Sequence, residues 1–134
     1  MARAALPRRR HAESGSAVVE FVGVVALLLL LFLVIFQLGV VLHIRNVMAA
    51  AAAEGARYAA NADRTEEDGA ARARDAIATG LSDELARSMT VTARPAPDDP
   101  GVVEVTISGP APLFVPRLKA FRITVHGHAL EESR

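Results

Sequence analysis

The stretch Phe21–Leu42 holds 22 residues without a formal charge; 18 are Leu, Val, Ile or Phe, and only Gln37 is strongly polar. As a helix it would extend about 33 Å, enough to cross a hydrocarbon core of about 30 Å. Insertion of these side chains is favourable by at least ~5 kcal/mol. A carboxylate at the centre of such a helix costs roughly 2.5–3.5 kcal/mol, and less at its edge, where Glu20 stands. The run therefore reads as a membrane span. Arg3, Arg8, Arg9 and Arg10 crowd its N-terminal side, whereas Arg45 and Arg57 are spread beyond it beside Glu54. The positive-inside rule places the N-terminus in the cytoplasm and residues from 43 onward outside. A secretory signal peptide is the competing reading, but its apolar core normally spans 7–15 residues. The alanines at 49–53 would offer it cleavage sites and a soluble product starting near Ala52.

The remaining chain has room for one small domain. Formal charge is zero over 134 residues, so no global field favours nucleic acid. Without the first fifteen residues the balance of Lys+Arg to Asp+Glu moves from 15:15 to 11:14, mildly acidic. Cysteine is absent, which excludes a disulfide framework and thiolate metal sites.

Glu20 needs a reason to stand where it does. Cutting between Gly15 and Ser16 would remove the basic leader and leave the Ser16 α-amine, largely cationic with an unperturbed pKa near 8. Glu20 would then be the fifth residue, one helical turn from that amine. In an assembly of parallel, staggered helices, the amine of one subunit can meet the Glu20 of the next. That pairing would set register, because a misplaced subunit leaves a charge unpaired in low dielectric.

"RRRHAESGSAVVEF" resembles the processing site of type IV pilins: a basic leader, glycine before the cut, glutamate at mature position five, then an apolar helix. Residues 13–61 are similar to TadE-like proteins, the pseudopilins of tight-adherence pili. The matching features are "GSAVVEF", Leu38-Gly39 followed by Arg45, and "AAAEGARYAA". The chain departs from the family in having Val25-Ala26-Leu27 where a proline is frequent, and Gln37 where an acid is. The resemblance implies cleavage after Gly15 by a prepilin peptidase, with subunit register set by Ser16 and Glu20. It also implies contact with inner-membrane platform proteins and with other pseudopilins or the major pilin. About 119 residues would remain after the cut, which favours a pseudopilin over the short main filament subunit.

Beyond the membrane the helix is expected to continue with Ile44, Val47, Met48, Ala51, Ala52, Gly55 and Tyr58 on one face. Its small residues, with Gly39, suit close approach of another helix. A turn near Asn61–Asp63 should precede a second helix whose "TEED" start resembles a capping box. Ala70, Ala73, Ile77, Leu81 and Leu85 mark the buried side, and Ser82 can cap a short restart. "MTVTAR", "VVEVTIS" and "FRITVHGHA" alternate as three strands; in the last, Phe121, Ile123 and Val125 point one way and Arg122, Thr124, His126 and His128 the other. The expected architecture is α+β: a leader (1–15), a transmembrane helix (16–43), and an extracytoplasmic head (44–134) in which helices cover a three-stranded antiparallel sheet.

Little in the sequence points to catalysis. There is no nucleophile elbow, phosphate-cradling glycine loop or His-Glu metal helix. His126 and His128 share a strand face, but without a third ligand motif a solvated face is the expectation. No enzyme activity, cofactor, metal or nucleic-acid partner is expected. The rival to the pseudopilin reading is an uncleaved single-pass protein with a binding or sensing head, for which Glu20 would be dispensable.

Overall fold

A computed structural model describes residues 12–112 and 121–131. The basic leader up to His11 and the stretch 113–120 lie outside the described residues. The elements follow the order α1 (Ala12–Ala59), α2 (Glu66–Gly80), α3 (Asp83–Arg87), β1 (Thr90–Pro95), β2 (Val102–Pro110) and β3 (Arg122–Leu130). The chain divides into two compact units between Phe36 and Gln37, so the last six residues of the apolar run belong with the head.

In the first unit the apolar side chains of α1 are largely exposed: Phe21, Leu27, Leu29, Phe32 and Ile35 are all at least 60% accessible. This is the one helix among the described residues that is long and apolar enough to cross a membrane. None of the described residues of the unit covers this surface, as expected for a helix whose solvent is lipid.

In the head, α1 buries Ile44, Met48, Ala51, Ala52, Ala56 and Ala59 at three-and-four spacing. After a turn at Asn61–Asp63, Thr65 caps α2. The Thr65 hydroxyl accepts from the Asp68 amide at 3.2 Å, and the Asp68 carboxylate accepts from the Thr65 amide at 3.0 Å, completing the capping box. Ala70, Ala73 and Ile77 of α2 enter the core, whereas Leu81 and Leu85 are only partly covered. Ser82 caps α3 by accepting from the Leu85 amide.

The three strands form an antiparallel meander in the order β1-β2-β3. Val91 pairs with Ile107, which pairs with Val125; Ala93 pairs with Val105, which pairs with Gly127. This register puts every second residue of each strand on the helix-covered face. Gly127 is required there, because a Cβ would land on the α1 backbone at Ala52 and Ala53. The fold is thus α+β, a long apolar helix running into helices packed on a small sheet.

Phe121 stands just outside this pattern. It precedes β3 and is 50% exposed, although its parity matches Ile123 and Val125. The Ala111 amide donates to the Phe121 carbonyl at 2.9 Å, so Phe121 sits at the end of the β2–β3 pair.

Candidate functional site

Three places could carry function. The first is the start of α1. Gly15, Ser16 and Glu20 all lie on this helix and are exposed. Ser16 and Glu20 stand one turn apart on the same face, about 6 Å along the axis. A Cβ on Gly15 would have nothing within 4 Å among the described residues, and the same holds for Gly23 and Gly39. Glycine in a helix interior costs about 1 kcal/mol relative to alanine. At these three positions no neighbour within the described chain offsets that cost.

The second place is the seam between α1 and α2, where glycine has a reason within the chain. A Cβ on Gly55 would stand 2.6 Å from the Gly69 carbonyl oxygen and 2.8 Å from Ala73 Cβ. Conversely, a Cβ on Gly69 would stand 2.6 Å from the Gly55 carbonyl oxygen. The two backbones therefore touch reciprocally. Ala51 and Ala52 are buried beside this contact, and Tyr58 is half-buried with the Arg64 guanidinium 4.8 Å from its ring centroid. Arg72 of α2 donates to Glu54 of α1 through Nε at 2.9 Å and Nη2 at 2.5 Å. Both side chains are around half exposed, so this pair contributes at most about 1 kcal/mol. Gly69 carries no local signal of this role, which depends on where α1 passes α2.

The third place is the uncovered face of the sheet, where Glu104 is the one buried charged residue of those described, at 8% exposure. The register aligns Arg94, Glu104 and His128 across the three strands. Arg94 donates to Glu104 Oε1 through Nε at 3.2 Å and Nη2 at 3.0 Å, while His128 Nε2 lies 3.1 Å from Oε2. His126 Nδ1 is 3.7 Å from Oε2 and 3.0 Å from the Thr106 hydroxyl. The Arg94 guanidinium holds the Glu104 carboxyl below its ordinary range, burial opposes this, and His128 adds to the lowering. Among the described residues no group of three or more His, Asp or Glu is disposed to hold a metal ion. Glu104 instead ties three strands together. Alternation alone could place Glu104 on this face, but its partners required the strand register.

The family model of TadE-like proteins matches residues 15–57. No curated protein and no solved structure matches the chain. The matched segment begins at Gly15, spans the whole apolar run and ends just past Gly55, the α1 side of the glycine seam; α2 and the sheet lie beyond it. Over residues 15–57, about a third of the chain, this protein is thus similar to TadE-like proteins.

Proposed function

We propose that the protein is a pseudopilin of a tight-adherence (Flp-type) pilus, inserted in the membrane through residues 16–43 and cut after Gly15 by a prepilin peptidase. The observation that carries this reading is the TadE-like match starting at Gly15, with Glu20 five residues later and the apolar run immediately after it. Gly15 fits a protease cleft for two reasons. It adds no side chain, and it lowers the cost of unwinding the helix locally by about 1 kcal/mol relative to alanine.

Cleavage changes the standing of Glu20. In the uncut helix it is a carboxylate well inside α1. After the cut it sits in the first turns, where the helix macrodipole favours an acid and the Ser16 amine supplies a cation. In a staggered array of such helices the amine of one subunit pairs with Glu20 of its neighbour. A Cβ on Gly39 would have no neighbour within 4 Å among the described residues, which leaves a neighbouring helix a place to approach closely.

The four arginines of the leader orient the N-terminus to the cytoplasm and the head, residues 44–134, to the outside. The partners are the prepilin peptidase, the inner-membrane platform proteins, and other pseudopilins or the major pilin. The role is structural rather than enzymatic. The substitution Glu20→Leu tests the register function: cleavage after Gly15 should persist while pilus assembly fails. Unchanged assembly in that variant would exclude the pairing and favour a simple membrane anchor.

A further inference from the structure

The last part of the apolar run is not free of the head. Gln37 Nε2 donates to the Pro112 carbonyl at 2.6 Å, and Val40 and Val41 pack against the head core. On an adjoining side, Leu38 and Leu42 stay exposed and form a groove with Phe121, framed by Arg45 and Arg122. Among the described residues no acidic side chain lines this groove.

Residue counting places that groove against lipid. With Glu20 kept at the edge of the hydrocarbon, residues 21–36 alone supply about 24 Å of helix, short of a core of about 30 Å. Residues 37–42 are needed to complete the span, and they carry the end of the head with them. Gln37 lies about 7.5 Å along the helix axis before Leu42, the last apolar residue of the run. Its partner Pro112, and with it the Ala111–Phe121 pair, belongs to the same level of the molecule.

We infer that this end of the head lies at the boundary between acyl chains and headgroups of the bilayer that α1 spans, with Phe121 beside Leu38 and Leu42 against the outer acyl chains and Arg45 and Arg122 reaching lipid phosphates. The chemistry suits that boundary. An aromatic ring prefers the interface, and arginines reach phosphates while their stems cover apolar surface. The Gln37 amide, costly in bare hydrocarbon, already has a protein acceptor. Before any extraction into a filament the head would therefore be held against the membrane at a second point. This rests on α1 crossing the bilayer and does not depend on pilus assembly.

The chain contains no tryptophan, so single-tryptophan variants report position directly. Full-length Phe121→Trp, Leu130→Trp and Leu30→Trp would be reconstituted in phosphatidylcholine vesicles with and without brominated acyl chains. Leu30→Trp, inside the run, reports whether α1 spans. Leu130 is 78% exposed at the far end of β3, about 30 Å from Phe121 along the strand. The expected result is that Leu30→Trp and Phe121→Trp lose most of their emission to the brominated lipid while Leu130→Trp keeps its own. Quenched Leu30→Trp with unquenched Phe121→Trp would overturn the inference while leaving the span intact. Blue-shifted but unquenched Phe121→Trp emission would also overturn it, since the ring would then lie against protein. Loss of quenching at Leu30→Trp would overturn both. Should Phe121→Trp fail to fold, Thr124→Trp, exposed on β3 and lining the same groove, is the substitute, with partial quenching expected and none overturning the inference.

Discussion

Replacing Gly55 by alanine sets two opposing effects against each other. Alanine is the better helix former by about 1 kcal/mol, so in open space Gly55→Ala would stabilise the head. Here the new Cβ would sit 2.6 Å from the Gly69 carbonyl oxygen and 2.8 Å from Ala73 Cβ. Both are part of α2 and neither is the mobile tip of a long side chain, so relief requires α2 to shift by several tenths of an ångström. Moving α2 loosens Ala70, Ala73 and Ile77, all buried against α1 and the sheet. Overpacking of this kind costs about 1–3 kcal/mol. The net expectation is a loss of about 1 kcal/mol, read as a fall of about 4–8 °C in melting temperature for a head of this size. Circular dichroism of the full chain in micelles measures it, with Gly39→Ala as control because that position has no neighbour within 4 Å among the described residues. A Gly55→Ala protein as stable as its parent would refute the backbone contact between α1 and α2.

Three further expectations follow from other contacts. Gly127→Ala should be more damaging than Gly55→Ala, because its Cβ meets only backbone at Ala52 and Ala53; equal or higher melting temperature would contradict the packing of β3 on α1. Thr65→Ala should cost about 1 kcal/mol by removing the α2 cap, visible as an earlier urea midpoint with unchanged slope. The Glu104 carboxyl is held below its ordinary range in the folded protein, so its contribution is full above about pH 4.3 and fades as pH falls through the lowered value. Glu104→Gln should lower stability at neutral pH and flatten the acid limb of the pH–stability curve; an unaltered acid limb would mean that Arg94 and His128 do not act on it.

The sequence made α1, the α2 cap and the strand alternation legible, because each is a local pattern. Thr65 and Asp68 are three residues apart, and the Ile44–Met48–Ala52 stripe is set by helical period alone. The features it concealed all join distant positions. Gln37 stood out as polar within the run, but its acceptor at Pro112 lies 75 residues on. His126 and His128 were recognisable as sharing a face; that Glu104 sits between them and Arg94 depends on two strand registers at once. Gly55 could be read as a point of close approach, yet its partner Gly69 depended on where the turn at Asn61–Asp63 sends the chain. Phe121 shares the parity of Ile123 and Val125 yet is half exposed, and parity carries no information about where the core ends.

The central claim is that Gly15–Ser16 is a processing bond, and the N-terminus of the native protein tests it most directly. Intact mass or terminal sequencing of membrane and sheared surface fractions should find Ser16 as the first residue. A chain beginning at Met1 or Ala2 in both fractions would contradict the pseudopilin reading and leave an anchored α+β head.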